Sequence, residues 1–383
     1  MKIGLITYHS AYNFGSVLQA YATQEIINKY FGNCEIINYR SLEQKRVYAI
    51  FKWEKGINGV IKSTIKNLLS LTDYKLRKSR QNKYENIFLE LFNLSSEVNT
   101  YEELEKMWNQ YDLIISGSDQ IWNKHSNELE NVEWAMMRPY LLHGFNGYKI
   151  SYASSITNMS DTEIDKIIED VRAFNAVSFR EYESYEKLSE QFNLKCTNVL
   201  DPTWLIEKDE WIKRLSLTKN NSENYLLYYA LNKRSEISQA LSDIKEYAKG
   251  KNLKIKMIMP LNFMGNVEGV EILKDIDPID FMNLIYNAST IVTDSYHGTI
   301  LSVNMEKNIY SICKGYPSDF RKVDILNRIG LNNRVISNTK ELLEHDFLSI
   351  DYDNVNKSLD LLRKKSIDYL KESVKNINDN RNM

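Results

Sequence analysis

The fold is decided by the stretch Ala288-Ser-Thr-Ile-Val-Thr-Asp-Ser-Tyr-His-Gly-Thr-Ile-Leu-Ser-Val303, where a strand pattern changes to a helix pattern across a short polar turn. Residues 290–293 predict a buried strand, Asp294 and Ser295 a turn, and the apolar spacing after His297 a helix. His297 would then lie at the carboxyl end of a strand, where open parallel sheets bind ligands, beside a helix N-terminus that favours anions. The alternative is a loop histidine that only caps the helix.

Length and composition are those of a globular protein with two domains. The chain has 383 residues, 43% hydrophobic and 26% charged, with 14 Gly and 5 Pro. Its net charge of −2 argues against nucleic-acid binding. The start of the sequence lacks the pattern of a secretory signal, and three scattered cysteines match neither a zinc site nor a disulfide framework. We therefore expect a reduced, cytoplasmic protein.

Strand and helix patterns alternate along most of the chain, which predicts an α/β fold with helices on both faces of parallel sheets. We expect a first domain at residues 1–200 and a second at 201–383, with a C-terminal helix at 354–376 that packs back across the first domain. The predicted strands are 2–8, 112–115, 149–153 and 176–179 in the first domain, and 225–231, 254–259, 290–293 and 308–313 in the second.

A helical, basic insertion at about residues 43–95 interrupts this alternation. Its apolar helix face consists of Ile57, Val60, Ile61, Ile65, Leu68 and Leu69, with Lys62 and Lys66 outside it. Basic residues crowd the same region: Lys45, Arg46, Lys52, Lys55, Lys75, Arg77, Lys78, Arg80 and Lys83, against Glu54 and Asp73. We expect the apolar face to pack on the core and the lysines to be solvated. The alternative is contact with an anionic membrane surface through the basic side chains and the interleaved aromatics Tyr48, Phe51 and Trp53.

The loop after the first strand, residues 9–16, occupies the position where phosphate-binding folds place an anion site. Gly15 would allow close backbone approach, Ser16 would cap the next helix, and His9 and Asn13 would bind ligand. The loop matches neither a Gly-x-Gly-x-x-Gly fingerprint nor a phosphate-binding loop ending in Gly-Lys-Ser/Thr. The alternative is that His9 and Asn13 only stabilise the turn.

Two further loops follow predicted strands. In Ser116-Gly-Ser-Asp-Gln-Ile-Trp-Asn123, Asp119 could accept a proton or bind sugar hydroxyls with Ser118 and Gln120, and Trp122 could stack on a sugar. The alternative places Asp119 in its own turn and Trp122 in the core. Arg180 follows the strand at 176–179 and suits a carboxylate or phosphate, unless it forms an exposed salt bridge to Glu181 or Glu183. The repetition of polar residues at strand ends predicts one cleft between the domains.

Five ordered blocks make the chain resemble the polysaccharide pyruvyl transferase family. They are the opening Ile-Thr-Tyr-His with Asn-Phe-Gly-Ser-Val-Leu-Gln-Ala, the Gly-Ser-Asp-Gln-Ile-Trp-Asn loop, Ser-Phe-Arg-Glu, Asp201-Pro-Thr203 and Thr293-Asp-Ser-Tyr-His-Gly-Thr299. The resemblance implies two Rossmann-like domains facing a cleft, as in GT-B glycosyltransferases. It also implies transfer of pyruvate from phosphoenolpyruvate to two hydroxyls of a sugar, forming a cyclic ketal.

The resemblance assigns roles to residues of this chain. His297 matches the catalytic histidine and is the candidate acid. Asp119 or Asp294 would be the base, unless Asp294 orients the turn. Arg180 and Arg321 would bind the donor's phosphate and carboxylate. The other donor-binding candidates are Ser295, Gly298, Thr299 and Lys314. The acceptor or phosphate would contact His9, Asn13, Gly15, Ser16, Ser118, Gln120 and Trp122.

The implied partners are phosphoenolpyruvate and a saccharide, either lipid-linked or polymeric, from bacterial exopolysaccharide or capsule synthesis. We expect no cofactor and no metal, and a location in the cytoplasm or at the inner face of the membrane. The oligomeric state is open.

One departure separates this chain from the family pattern: characterised members often have arginine shortly before the histidine, where this chain has Tyr296. Arg321 would have to supply that charge, or the donor would differ. The alternatives are therefore a GT-B glycosyltransferase with a nucleotide-sugar donor and a non-catalytic glycan-binding protein.

Overall fold

The computed structural model describes residues 1–53, 56–129, 132–220, 222–231, 234–258, 265–344 and 349–381. They form two compact units: unit 1 is Met1–Leu205 with Leu362–Met383, and unit 2 is Ile206–Leu361. The division thus falls after Leu205 rather than after residue 200, and the last helix is shared between the units. Glu54, Lys55 and Met259 lie outside the described residues, as do the side chains of Ile57, Lys62, Lys66 and Leu69.

Unit 1 is built on a parallel sheet whose six described strands have the order β2-β1-β3-β4-β5-β6. Its elements are β1 (Ile3–Ile6), α1 (Phe14–Phe31), β2 (Cys34–Ile36), α2 (Leu42–Tyr48), α3 (Ile57–Thr72), α4 (Tyr74–Leu91), α5 (Tyr101–Trp108), β3 (Leu113–Asp119), β4 (Tyr148–Ser154), α6 (Asp161–Ile164), α7 (Ile168–Arg172), β5 (Ser178–Phe179), α8 (Tyr182–Glu190) and β6 (Thr197–Asn198). Short 3₁₀ turns lie at Trp134–Met137 and Pro202–Trp204.

Unit 2 repeats this architecture, with the described strand order β12-β11-β10-β7-β8-β9, all parallel. Its elements are α9 (Lys208–Arg214), β7 (Tyr225–Tyr229), α10 (Arg234–Gly250), β8 (Lys254–Ile258), β9 (Glu271–Leu273), α11 (Pro278–Asn287), β10 (Thr290–Thr293), α12 (Tyr296–Asn304), β11 (Asn308–Ile312), α13 (Phe320–Arg328), β12 (Val335–Ile336), α14 (Glu341–Glu344) and α15 (Tyr352–Arg381). Short 3₁₀ turns lie at Pro317–Asp319 and Asn332–Arg334.

The predicted α/β class is confirmed: both sheets are parallel. Each predicted strand overlaps an observed one, and β10 has the predicted bounds. The short strands β2, β6, β9 and β12 were missed because two or three residues give no measurable period. Residues 116–119 were predicted as a loop but extend β3, in which Asp119 still pairs with Ser154 of β4.

The connections place a topological switch point in each sheet. In unit 1 the chain leaves β1 for β2 on one side, and β3 then pairs on the other side of β1. In unit 2 the strands β8 and β9 lie on one side of β7, and β10 pairs on its other side. Open α/β sheets bind ligands outside the carboxyl ends of the strands at such points. These points lie at the loops after β1 and β3 in unit 1 and after β7 and β10 in unit 2.

The predicted C-terminal helix is present as α15, and its second half belongs to unit 1. The Ser366 hydroxyl accepts a hydrogen bond from the Leu200 amide at 2.9 Å, and the Tyr369 hydroxyl donates to the Ser151 carbonyl at 2.8 Å. Arg363 Nε donates to the Trp204 carbonyl at 2.8 Å. These buried bonds, with Leu359 and Leu370 in the core, fix the helix against the end of β6 and against β4.

The insertion is helical as predicted, but its expected packing is wrong. Described apolar residues of α3 are exposed: Val60 47%, Ile61 57%, Ile65 56%, Leu68 60% and Leu71 56%. The buried side of α3 instead carries Ser63, Asn67 and Ser70. The Asn67 side chain exchanges two 2.9 Å hydrogen bonds with the backbone of Lys52, which holds the polar side inward. In the described part of the chain, no helix combines the length and apolarity needed to cross a bilayer.

Candidate functional site

Asp119 is the last residue of β3 in unit 1, and its carboxylate is held from two sides. Ser16 Oγ donates to one carboxylate oxygen at 3.1 Å, and Arg180 Nη1 lies 3.4 Å from the other. Its φ is 74°, and two residues earlier Gly117 lies so close to β4 that a Cβ there would be 2.0 Å from the Tyr152 carbonyl oxygen. With 12% of the side chain exposed, Asp119 is a positioned carboxylate suited to accept a proton.

Arg180 is buried among three carboxylates and does not present its charge to solvent. Its Nη1 donates to Asp201 at 2.9 Å, its Nε donates to Glu181 at 2.9 Å, and 2% of the side chain is exposed. In this structure Arg180 contacts Asp119 and compensates the acidic cluster, and its donor-binding role stays a prediction. The alternative ion pair with Glu181 is present, but buried rather than exposed.

Asp201 is the residue of this cluster that the sequence analysis did not assign. Its second oxygen accepts hydrogen bonds from the amide and hydroxyl of Thr203 at 3.0 and 2.7 Å, so the Asp-Pro-Thr block closes the turn that carries it. The presence of Asp201-Pro-Thr203 among the ordered blocks was the signal that could have identified it.

Side chains of the loop after β1 form hydrogen bonds with other groups of the protein. His9 is buried, with Nε2 3.0 Å from Asn38 Oδ1 and Nδ1 3.3 Å from the Thr7 carbonyl, and burial lowers its pKa. Asn13 caps α1 by accepting from the amides of Gly15 and Ser16 at 2.8 and 3.3 Å. The predicted cap, Ser16, contacts Asp119 instead. The structure supports the alternative in which His9 and Asn13 stabilise the turn.

Two acceptor candidates, Trp122 after β3 and Ser118 within it, are core residues. Trp122 is fully buried; its indole nitrogen donates to the Tyr140 carbonyl at 2.9 Å, and its ring packs edge-on against Phe174 and Phe179. It therefore has no open face for a sugar, which corrects the stacking prediction. Ser118 is also buried and donates to the Ala153 carbonyl at 2.9 Å. Gln120 is half-buried.

Glu128, which the sequence analysis did not consider, is a second carboxyl group in the neighbourhood of Asp119. Tyr48 donates a hydrogen bond to it. Burial raises the pKa of Glu128, the Tyr48 hydrogen bond lowers it, and the charge of Asp119 raises it further, with a net upward shift. A carboxyl group whose pKa is raised beside a positioned carboxylate is a recurrent acid–base arrangement.

In unit 2 the turn between β10 and α12 is held by its own side chains. Ser295 caps α12 by accepting from the Gly298 amide at 3.2 Å, and its own amide donates to Thr293 Oγ1 at 3.0 Å. Thr299 is fully buried, with its hydroxyl 2.8 Å from that of Ser311. At Gly298 a Cβ would lie 2.7 Å from Thr293 Oγ1, so glycine allows the helix to approach the strand. These contacts show that the three residues build the turn, and their donor-binding roles stay predictions.

His297 lies in the first turn of α12 and is half-buried, in contact with the ring of Tyr296. The guanidinium of Arg321, from α13, lies 4.8 Å from the centre of that Tyr296 ring. Asp294 Oδ1 accepts from the Leu231 amide at 2.8 Å and so ties the turn to the end of β7. His297 and Arg321 thus both contact the ring of Tyr296, and Asp294 orients the turn.

Two lysines near this turn have distinct environments. Lys322 is buried; its ammonium donates to the carbonyls of Asp294 and Ile312 at 2.8 and 2.7 Å and pairs with Asp319 at 2.9 Å. It therefore joins the carboxyl ends of β10 and β11, a role that the sequence analysis missed. Lys314 pairs with Glu236 at 2.6 Å beside a cavity of about 340 Å³. Its charge is thus compensated within unit 2.

Within the ranges described above, no group of three or more His, Cys, Asp and Glu residues is placed to hold a metal ion. The expectation of chemistry without a metal or cofactor stays a prediction.

A sequence model described as Polysaccharide pyruvyl transferase matches residues 13–312. The chain belongs to this family. The match covers more than half of the chain and includes β3 with Asp119, the Arg180 cluster and the turn with His297. No curated protein sequence matches the chain significantly.

Solved structures similar to this polysaccharide pyruvyl transferase family member include UDP-GlcNAc 2-epimerases. The Methanocaldococcus jannaschii enzyme, in complex with UDP-GlcNAc and UDP, has a TM-score of 0.52 and 12% identity, covering 98% of this chain and 99% of that one. The Neisseria meningitidis enzyme has a TM-score of 0.52 and 9% identity, with coverages of 97% and 94%. The Rickettsia bellii enzyme has a TM-score of 0.51 and 11% identity, with coverages of 99% and 98%. At these identities the likeness shows the fold alone, which is of the GT-B type.

Proposed function

We propose that this protein transfers the pyruvyl group of phosphoenolpyruvate to two hydroxyls of a saccharide in a glycan precursor, forming a cyclic ketal. The donor's methylene carbon gains a proton, its C–O bond to phosphate breaks, and two new C–O bonds to the sugar form. Of the two hydroxyl protons released, one balances the new methyl group and the other the released phosphate.

The observation that carries this proposal is the arrangement of His297, Tyr296 and Arg321 in a chain that belongs to the family. His297 occupies the matching position of the catalytic histidine and is half-buried at the N-terminus of α12, so it suits the role of acid. Arg321 brings a permanent positive charge to the Tyr296 ring, next to His297. This chain has Tyr296 where family members often have arginine. The guanidinium of Arg321 lies over the Tyr296 ring and can stabilise the donor's anionic groups in place of that arginine.

In this proposal, unit 1 binds the acceptor sugar and supplies the base. Asp119 is positioned by Ser16 and Arg180 and is our proposed base for the sugar hydroxyl. A cavity of about 270 Å³ in the same unit is lined by Tyr12 and Tyr48 together with Arg40, Gln81 and Glu85. Aromatic rings and planar polar groups of this kind bind sugar rings and their hydroxyls, so we place the acceptor there.

The test is phosphate release from phosphoenolpyruvate by the purified chain, with and without a panel of bacterial saccharides, followed by mass spectrometry of the sugar. The proposal expects release that depends on a saccharide, a pyruvylated product, and loss of both in His297→Ala. Arg321→Ala should raise the KM for phosphoenolpyruvate, whereas Gln81→Ala should raise the KM for the sugar. Phosphate release without any sugar, or full activity of His297→Ala, would contradict the mechanism.

A nucleotide-sugar donor is the competing function, and a panel of such donors belongs in the same assay. The likeness to an epimerase with bound UDP-GlcNAc concerns the fold, and it makes UDP-GlcNAc the natural first competitor. Sugar transfer from a nucleotide sugar, without reaction of phosphoenolpyruvate, would replace the proposal. Saccharide binding with neither reaction would favour a non-catalytic glycan-binding protein.

A further inference from the structure

Helix α3 has its polar side inward and its apolar side outward, the reverse of a helix that packs on a core. We call Val60, Ile61, Ile65, Leu68 and Leu71 the α3 apolar face; each is between 47% and 60% exposed. A surface helix normally turns such a face toward the protein interior, because burying a leucine or isoleucine is worth about 1.5–3 kcal/mol. This set of neighbouring apolar side chains therefore marks an interaction surface.

The orientation of α3 is held by specific contacts. Asn67, on the inner side, binds both the amide and the carbonyl of Lys52. Ser63 is fully buried on the same side, and the adjoining Phe51 stacks on Tyr74 with ring centres 5.9 Å apart. Turning the apolar face inward would expose these residues and break the paired bonds. The outward face is thus a stable feature of the fold.

Aromatic and basic side chains accompany this face. Phe51, Trp53 and Tyr74, from the segments at the two ends of α3, are 39%, 72% and 41% exposed. Residues 42–83 contain 11 Lys and Arg but 3 Asp and Glu, whereas the whole chain has a net charge of −2. Lys75 and Lys78, in the first turns of α4, are exposed. Apolar, aromatic and basic residues in one segment are the composition of helices that lie in a membrane interface.

We propose that α3 and the basic residues around it bind the surface of an anionic membrane. The apolar face would enter the boundary between headgroups and acyl chains, and Lys75 and Lys78 would attract the negative headgroups. The charge of this segment favours an anionic membrane over a second copy of the chain, because a symmetric dimer would bring two strongly basic segments together. The proposal is independent of the catalytic assignment, and its test does not measure activity.

The experiment is co-sedimentation of the full chain with vesicles of phosphatidylglycerol mixed with phosphatidylcholine, and with vesicles of phosphatidylcholine alone. We expect binding to the mixed vesicles, weakened by salt, and at least about tenfold weaker binding to the neutral ones. The triple variant Ile61→Gln, Ile65→Gln, Leu68→Gln should lower the affinity for mixed vesicles by about tenfold or more. The double variant Lys75→Glu, Lys78→Glu should lower it by a similar factor.

Matched controls separate the surface from general hydrophobicity and charge. Leu361→Gln removes another exposed leucine, 73% accessible on α15, and Lys249→Glu with Lys251→Glu reverses two exposed lysines in unit 2. Both controls should bind vesicles like the wild type, and thermal melting should show that all variants are folded. Wild-type protein that stays unbound, or a triple variant that binds normally, would overturn the proposal. Self-association that the triple variant abolishes, without vesicle binding, would overturn it in favour of a second copy.

Discussion

The two units each have a parallel six-stranded sheet in their described residues, but they differ in strand order and in the charged residues at their switch points. In unit 1 the strand ends hold a buried cluster in which Arg180 is shared by Asp119, Glu181 and Asp201. In unit 2 the strand end carries a half-buried histidine, His297, with a guanidinium next to its neighbour.

This difference suggests a division of labour. A buried arginine among carboxylates positions a base, because each oxygen it binds loses the freedom to turn. A half-buried histidine can deliver a proton to a donor, and a nearby guanidinium can bind the donor's anionic groups. Variants in the two units should therefore fail in different ways, and the following predictions test that difference.

The largest expected effect is on turnover, from His297→Ala. Loss of a general acid costs about 10²–10⁴-fold in kcat, while folding should be unaffected because the ring is half-exposed and belongs to a helix start capped by Ser295. Steady-state kinetics and thermal melting of the same preparation check both halves. If the variant is inactive because it has unfolded, the role of His297 is structural rather than catalytic.

In unit 1, Arg180→Ala should instead act on stability. Removing one partner of a buried ion pair costs about 3–5 kcal/mol, because the remaining carboxylates lose their counter-charge. Chemical denaturation measures this change. Arg214→Ala is the matched control: its ion pair with Glu210 is partly exposed and spans one helical turn, and such pairs contribute about 0.3–0.5 kcal/mol. Equal losses for the two variants would show that the Arg180 cluster is not a special feature of unit 1.

Gly298→Ala tests how the unit 2 turn is built. The added methyl would approach Thr293 Oγ1 to 2.7 Å and Tyr229 Cδ1 to 2.9 Å, so α12 must move away from β10 at a cost of about 1–3 kcal/mol. Because His297 precedes this residue, kcat should fall as well. Gly250→Ala is the control, since an added methyl there meets no described atom within 4 Å. A stable, fully active Gly298→Ala protein would contradict the close approach.

The smallest predicted effect is a pH dependence from His9 in unit 1. Burial lowers the pKa of His9 below its usual value of 6.5, so the unfolded chain binds a proton more readily than the folded one. The stabilising contribution of the neutral ring is therefore complete above pH 6.5 and is lost as the pH falls toward the folded-state pKa. His9→Gln should flatten the unfolding free energy against pH in this window. An unchanged slope would show that His9 is not the buried neutral group we describe.

The sequence predicted local features well. The bounds of β10 follow from a β-branched run next to a polar turn. Sequence patterns did not reveal partners that lie far apart along the chain. Arg180 meets Asp201 and Asp119 across 21 and 61 residues, and neither contact can be predicted from the pattern around Arg180.

Helix α3 shows a second limit of the sequence. Periodicity identified an apolar face, but not the direction in which it points. The two hydrogen bonds from Asn67 to the backbone of Lys52 and the burial of Ser63 decide that direction, and they depend on the tertiary structure. Trp122 shows the opposite error. Its position after a strand was compatible with an exposed ring that stacks on a sugar, but the ring is fully buried.

The most direct test of the central claim is a thermal-shift titration with phosphoenolpyruvate, beside uridine diphosphate and inorganic phosphate, on the wild type and Arg321→Ala. A ligand that binds only the folded state stabilises it by RT ln(1 + [L]/Kd), so the melting temperature rises with the concentration of a true ligand. We predict selective stabilisation by phosphoenolpyruvate that Arg321→Ala weakens. Stabilisation by uridine diphosphate, with no response to phosphoenolpyruvate, would contradict the claim.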